Sequence, residues 1–76
     1  MSVGNRIRTL RRSLKMSQPE LAKKAKVGQS TISDLENDKK STSAENMEAI
    51  AQVLGTSSSY LLTGKQTTKD DSLQSN

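Results

Sequence analysis

The sequence predicts an all-α fold, a compact bundle of five short helices, from two observations. Apolar residues recur at spacings of three and four through most of the first 64 positions, which is typical of helices that bury one face. Residues that can cap a helix stand before each apolar stripe, and glycines follow the last two stripes. Because only 30% of the 76 residues are hydrophobic, the core has to be built from Leu, Ile, Val, Ala and Met.

The first two helices are predicted from Ser2 to near Lys15 and from Ser17 onward. Both serines can cap a helix, and Ser17 forms a capping box with Glu20, in which the hydroxyl accepts from the Glu20 amide while the carboxylate reaches back. Pro19 lies in the first turn of the second helix, where its missing N–H costs nothing. The apolar stripe of the first helix consists of Val3, Ile7, Leu10 and Leu14, and that of the second of Leu21, Ala22 and Ala25.

The third helix is predicted from about Gln29 to Asn37, after a turn that ends at Gly28, its N-cap. Ile32 and Leu35, three positions apart, are its inward anchors. The second and third helices are therefore joined by a tight turn, and the third presents small polar side chains outward. This is how a protein places a helix in the major groove of DNA.

The fourth helix is predicted to start at Thr42 or Ser43, both of which can cap it, and to end at Gly55. A short fifth helix, capped by a serine and ended by a glycine, completes a domain predicted over 1–64. From there on the chain is polar except for one Leu and cannot bury enough surface to order itself, so 65–76 is predicted to be a tail or linker.

The composition excludes several classes of protein. Without cysteine or histidine the chain has neither disulfides nor the usual zinc sites, and nothing in it indicates a cofactor or a small-molecule ligand. No apolar run approaches the roughly 20 residues of a membrane span, and no signal peptide is visible, so we expect a cytoplasmic protein. An enzyme is not favoured, because the chain offers no catalytic motif and is too short for a deep cleft.

The charge is distributed unevenly along the chain. Residues 1–40 contain ten Lys and Arg against four Asp and Glu, a net charge of +6, whereas residues 41–76 contain two against four, a net charge of −2. A run of charge taken alone usually means a solvated surface. Here the basic half also contains the two helices joined by a tight turn, which favours a polyanion as partner.

Five short motifs occur in order within residues 3–64. They are Arg6-Ile-Arg-x-Leu-Arg11, Ser17-Gln-x-Glu-Leu-Ala22, Gln29-Ser-Thr-Ile-Ser-x-Leu-Glu-Asn37, Ile50-Ala-x-x-Leu-Gly55 and Tyr60-Leu-Leu-x-Gly64. Through these motifs and their spacing the chain resembles the phage repressor and Cro-like helix-turn-helix family, also called the xenobiotic-response-element type. The resemblance implies a lambda-repressor-like DNA-binding domain, with double-stranded DNA as its partner.

The chain departs from the family pattern at three places. Lys26 occupies a turn position usually held by glycine, so it has to adopt a left-handed backbone at a cost of about 1 kcal/mol. Asp38 follows Asn37 where a glycine is common, and the loop after it lacks the usual proline. These departures concern the geometry of the loops rather than the fold.

The resemblance implies that the third helix reads DNA with its N-terminal residues. Gln29 and Ser30 are the first candidates for base contacts, and Ser33 and Asp34 are the second. A Gln amide donates and accepts at once, which matches the N6/N7 edge of adenine, whereas the carboxylate of Asp34 suits only a cytosine amino group. The alternative, in which Gln29 and Ser30 merely start a helix, stays open.

Phosphate contacts are expected from groups that flank this helix. At the start of the second helix, unpaired amides and the helix dipole favour an anion. The candidates are Ser17, Gln18, Asn37, Lys39, Lys40 and Arg11. The resemblance also implies an ion pair between Arg11 and Glu36 that holds the third helix at its docking angle, although Arg11 could equally be a surface arginine.

The expected function is that of a sequence-specific DNA-binding regulator, in particular a phage-type repressor that binds a palindromic operator as a homodimer. Tyr60, Leu61 and Leu62 are candidates for dimer contacts and equally for ordinary core. Two alternatives stay open, an antitoxin whose main partner is a toxin and a restriction-modification controller protein. The sequence does not decide whether the chain is complete and Cro-like or the N-terminal domain of a larger repressor.

Overall fold

The computed structural model describes residues 2–65, which form five α-helices and no strand. The helices are α1 (Val3–Ser13), α2 (Gln18–Ala25), α3 (Gln29–Glu36), α4 (Ala44–Leu54) and α5 (Ser58–Thr63). The predicted all-α bundle of five helices is therefore confirmed. None of these five helices is long and apolar enough to cross a membrane. Nearly all of the predicted tail, 66–76, lies outside the described residues.

Serine side chains begin four of the five helices. In each case the hydroxyl accepts a hydrogen bond of 3.0–3.2 Å from the amide three residues further on. These serines are Ser2, Ser17, Ser43 and Ser57. Ser43 rather than Thr42 therefore caps α4. At α2 the predicted capping box is half formed, because the Glu20 carboxylate lies 3.8 Å from Lys24 Nζ on the next turn of the helix.

Left-handed residues end α2, α4 and α5. Gly55 and Gly64 terminate α4 and α5 with φ of 75° and 79°, as predicted. Lys26 ends α2 with φ of 60°, so this turn takes the strained backbone that the resemblance implies. Lys15 and Asp38, which follow α1 and α3, have φ of 58° and 56°. Three of the connections between helices thus turn at a residue other than glycine.

The core is small and aliphatic. Each helix contributes one large side chain without any exposure to solvent, and these are Ile7, Leu21, Ile32, Ile50 and Leu61. α2 packs against both α3 and α4, while α1 packs against α3 and α5. The core therefore contains one large, fully buried side chain from every helix. A chain with few apolar residues can build a core in this way.

α1 and α3 meet backbone to backbone at one point. A Cβ placed on Gly4 would lie 2.5 Å from the carbonyl oxygens of Leu35 and Glu36, far inside van der Waals contact. Gly4 is therefore required for its small size and not for conformational freedom. The contact sets the N-terminal end of α1 directly on the C-terminal end of α3.

Arg6 joins α1 to α5. Its Nε donates to the Leu61 carbonyl at 2.9 Å and its Nη2 to the Leu62 carbonyl at 3.2 Å. These carbonyls lie in the last turn of α5, where a helix leaves them without intrahelical partners. A Cβ on Gly64 would lie 2.8 Å from Arg6 Nη1, so the guanidinium packs against the residue that ends α5. α1 thus holds both α3 and α5.

Candidate nucleic-acid interface

The turn between α2 and α3 is fixed by its own backbone. The amide of Lys26 donates to the Lys23 carbonyl at 3.2 Å, and that of Val27 donates to the Ala22 carbonyl at 3.0 Å. These two bonds close the end of α2. Gly28, with an extended backbone, then begins α3 without a side-chain cap. The two short helices are thereby joined through a connection of defined conformation.

α3 has one face in the core and another that solvent reaches. Ile32 and Leu35 are buried, as their spacing predicts. The accessible face consists of short or amide side chains, which include all four candidates for base contacts. These candidates are the exposed Gln29 and Ser30 at the start of the helix and the half-buried Ser33 and Asp34 further along it.

Behind this face, the carboxylate of Glu36 is fully buried and joins three helices. From α1, Arg11 Nε and Nη2 donate to its two oxygens at 2.6 and 3.0 Å, which makes a bidentate pair. From α2, Gln18 Nε2 donates to its Oε1 at 3.0 Å. Arg8 donates from Nη2 to the Glu36 main-chain carbonyl at 3.1 Å, and its Nε lies 3.5 Å from Oε1. The ion pair implied by the resemblance is thus present within a larger set, the Glu36 cluster.

The groups of this cluster stabilise each other's charges. Burial by itself would raise the pKa of Glu36, but three hydrogen-bond donors and the charge of Arg11 outweigh burial and hold that pKa below its ordinary value. The hydrogen bond to Glu36 raises the pKa of Arg11, although burial opposes this. Both side chains are therefore charged at neutral pH.

Sequence reasoning missed two contacts of the Glu36 cluster. The sequence predicts a phosphate contact for Gln18, whereas in the structure its side-chain amide donates to Glu36. The backbone amide of Gln18 at the start of α2 is a separate group, so its phosphate contact stays a prediction. Arg8 received no predicted role, although it stands about one helical turn before Arg11 on the same side of α1, which was the available signal.

The loop after α3 is exposed and basic. Asn37, Lys39 and Lys40 all reach solvent. The Lys39 amide donates to the Asp34 carbonyl at 2.8 Å, so the loop begins as a continuation of the helix end. Ser17, at the start of α2, is exposed as well. The candidates for phosphate contacts therefore lie on the two segments that flank α3 in the chain, while Arg11 lies in the buried cluster behind it.

Asp38 ties this loop to the start of α1. Its Oδ1 accepts from the Gly4 amide at 3.1 Å, and its Oδ2 accepts from Ser2 Oγ at 2.8 Å. The sequence marks Asp38 only as a departure from the family pattern. The tie could not be predicted, because its partners stand 34 and 36 positions earlier in the chain.

Among the three candidates for dimer contacts, Leu62 offers the largest apolar surface. Leu61 has no exposure and belongs to the core, and Tyr60 is half-buried against that core. Leu62 is 54% exposed and lines a groove whose other walls are apolar residues of the bundle, Val3, Leu35 and Met47, and residues 38–41 of the basic loop. The alternative that these residues form ordinary core therefore holds for Leu61 and does not hold for Leu62.

A bundle in which a tight turn joins α2 to an accessible, polar α3 beside a basic loop defines a protein of the helix-turn-helix class. The chain belongs to the Helix-turn-helix family, whose sequence profile matches residues 7–61. The match covers α2, the turn and α3 in full, together with all of α4. The predicted class of protein is therefore confirmed.

Phage repressors and a bacterial regulator are similar to this chain. The immunity repressor protein of Bacillus phage phi105 is 33% identical over all 76 residues, which span about half of that protein, 53%. The P22 c2 repressor protein in complex with synthetic operator 9T superposes with a TM-score of 0.82 at 35% identity, over 86% of this chain and 98% of the other. For the N-terminal DNA-binding domain of SinR from Bacillus subtilis the TM-score is 0.74 at 33% identity, over 78% and 87%. These matches confirm the resemblance to phage repressors and Cro-like proteins.

Replacing Glu36 with Gln should lower the free energy of unfolding by about 3 kcal/mol at neutral pH, because it leaves the buried Arg11 without its counter-charge. The pH dependence should change as well. The pKa of Glu36 is lower in the folded protein than its unfolded value near 4.3, so its stabilisation is complete above that value and is lost as the pH falls through the folded-state pKa. The free energy of unfolding of the Glu36→Gln variant should lack this contribution and should therefore fall less as the pH is lowered.

Urea unfolding of both proteins from about pH 7 to about pH 3 measures these two effects. Glu20→Gln is the matched control, because Glu20 and its neighbour Lys24 are both about half exposed. Glu20→Gln should lower the free energy of unfolding by less than about 0.5 kcal/mol. Stability curves of the wild type and of Glu36→Gln that stay parallel over the whole range would contradict an ionic role for Glu36.

Proposed function

We propose that this protein is a phage-type transcriptional repressor that binds double-stranded DNA of specific sequence by placing α3 in the major groove. The observation that carries the proposal is the accessible polar face of α3, held from behind by the Glu36 cluster. The first forty residues, which contain this face, have a net charge of +6, as a polyanion partner favours. The relatives support the proposal, since one is an immunity repressor and another is a repressor in complex with an operator. None of the named relatives favours the antitoxin alternative.

In this proposal the exposed Gln29 and Ser30 contact base edges first, because the N-terminal residues of a recognition helix face the bases. The Gln29 amide pairs with adenine through one donated and one accepted hydrogen bond. Ser33 and Asp34, which are half-buried, contact neighbouring bases. Asp34 acts mainly by rejecting sequences that offer its carboxylate no cytosine amino group.

Phosphate contacts on both sides of α3 fix its register on the duplex. Ser17 and the backbone amide of Gln18 lie at the start of α2, where the helix dipole favours an anion. Arg11 contributes mainly by orienting α3, because its side chain is 10% exposed and three of its N–H groups already donate to Glu36 and Met16. The second clamp consists of Asn37, Lys39 and Lys40.

A homodimer completes the proposal. One α3 reads only a few base pairs, so useful affinity needs two copies on half-sites about one helical turn apart. The exposed side chain of Leu62 supplies the contact between copies, since an exposed apolar side chain is stabilised when a partner covers it. Such a repressor acts on DNA in the bacterial cytoplasm.

The direct test is binding to duplexes that the protein selects from a random pool, measured at several salt concentrations. Each phosphate neutralised by Lys or Arg adds about 0.9 to the negative slope of log affinity against log salt. Two clamp lysines in each copy of a dimer should therefore give a slope of about −3 to −4. Binding that does not respond to salt, or no binding to any duplex, would overturn the proposal.

Two alanine variants separate base contacts from phosphate contacts. Gln29→Ala should weaken binding to the selected site by about 1–3 kcal/mol and change binding to random duplex little. Lys40→Ala should weaken binding to both duplexes alike and reduce the salt slope by about 1 for each copy. Competition titrations with both duplexes measure these effects. If Gln29→Ala weakened binding to both duplexes equally, Gln29 would contact the DNA backbone and not a base. If Lys40→Ala weakened binding to the selected site alone, the phosphate role of Lys40 would be contradicted.

Leu62→Ser tests the contact between copies. It should weaken binding to a duplex with two half-sites by about tenfold, because burying a Leu contributes about 1.5 kcal/mol or more. Binding to a single half-site should not change. Leu14→Ser is the matched control, since Leu14 is 48% exposed and has no predicted contact with a second copy. Band-shift titrations with the two-site and the single-site duplex measure the affinity of each variant relative to the wild type. Equal losses for Leu62→Ser and Leu14→Ser would contradict a role of Leu62 in the dimer contact.

A further inference from the structure

Asp38 carries two penalties, one to the stability of the fold and one to the attraction to DNA. Its φ of 56° is left-handed, which costs a residue other than glycine about 1 kcal/mol or more, although Asp tolerates this conformation better than most. Its carboxylate also places a negative charge next to Lys39 and Lys40, the residues proposed to contact phosphates. A glycine would avoid both penalties, so the side chain has to supply something that glycine lacks.

What the side chain supplies is a tie between two distant segments. Asp38 Oδ1 accepts from the Gly4 amide at 3.1 Å, and Oδ2 accepts from Ser2 Oγ at 2.8 Å. The Ser2 hydroxyl itself accepts from the Asn5 amide, so the tie ends on the cap of α1. A carboxylate at this point also suits the positive end of the α1 dipole.

The tie reaches α1 at the place where α1 touches α3. Gly4 lies so close to the last carbonyls of α3 that no Cβ fits there. The loop is consequently attached on two sides, to α3 through the Lys39 amide on the Asp34 carbonyl and to α1 through Asp38. Lys39 and Lys40 therefore extend from a backbone that is fixed relative to the recognition helix.

We propose that Asp38 is a positioning residue for DNA binding. Its tie to α1 holds the clamp lysines in the register of α3, and its charge weakens the attraction to DNA of any sequence. The tie raises the ratio of operator affinity to random-duplex affinity, because only the operator requires the clamp and the base contacts to fit at once, whereas the charge lowers both affinities alike. The inference rests on the proposed function and deepens it, since it names a residue that sets specificity without touching a base.

Two substitutions separate the tie from the charge. Asp38→Asn and Asp38→Gly both remove the negative charge, and both Asn and Gly accept a positive φ. Only Asn keeps an oxygen for the Gly4 amide and a polar atom for the Ser2 hydroxyl. The difference between the two variants therefore measures the tie, and the difference between the wild type and Asp38→Asn measures the charge.

The measurement is the affinity of the wild type and the two variants for the selected operator and for random duplex, at several salt concentrations. Asp38→Asn should bind both duplexes about threefold more tightly than the wild type, the effect of one exposed charge. Asp38→Gly should bind the operator about fivefold more weakly than Asp38→Asn, the equivalent of about one hydrogen bond. Its negative salt slope on the operator should be smaller by about 0.9 for each phosphate that the clamp lysines no longer reach.

Melting temperatures of the three proteins complete the test. Equal operator affinities and equal salt slopes for Asp38→Asn and Asp38→Gly would overturn the positioning role. A lower melting temperature of Asp38→Gly with unchanged operator affinity would make the tie purely structural and would overturn the role as well. A wild-type protein that binds no duplex would instead refute the proposed function, and the inference with it.

Discussion

The buried carboxylate of Glu36 is the constraint on which the rest of the structure depends. A carboxylate removed from water needs hydrogen-bond donors for its oxygens, because an unpaired buried charge costs several kcal/mol. Here the donors come from two other helices, Arg11 from α1 and Gln18 from α2, while the carboxylate belongs to α3. A slide or rotation of α3 would separate the charge from these donors. The Glu36 cluster therefore fixes the orientation of the helix that is proposed to enter the groove.

Directional contacts of this kind matter because the apolar core is small. Each helix contributes one large side chain that is fully buried, and apolar burial has no preferred direction. Two further contacts of α1 supply direction. Gly4 sets the start of α1 on the end of α3, and Arg6 binds the carbonyls that end α5. The proposed reading helix and the proposed dimer surface at Leu62 are thus both positioned relative to α1, which makes α1 the element that sets the distance between them.

Local features of the fold could be predicted from the sequence, and contacts between distant residues could not. The serine caps and the glycines that end α4 and α5 depend on neighbours in the chain, whose preferences are known, whereas the left-handed Lys26 is implied by the resemblance. Arg8 shares one side of α1 with Arg11, but its neighbours in the chain do not show which acceptor it meets, and Asp38 finds its partners more than thirty positions away. Leu61 and Leu62 differ by a rotation of about 100° on a helix too short to define its own apolar face. Only packing against the other helices buries the first and exposes the second.

The arrangement also separates the residues that hold α3 from those proposed to read DNA. Ile32, Leu35 and Glu36 anchor the helix from its buried side, whereas Gln29 and Ser30 are exposed at its start. Substitutions at the two outer positions should therefore cost little stability, within the limits of helix propensity. The residues that stabilise the helix and those proposed to contact bases thus lie on opposite faces of one short helix. A bundle built in this way can keep its fold while its sequence diverges, as its superposition on the P22 c2 repressor with a TM-score of 0.82 at 35% identity illustrates.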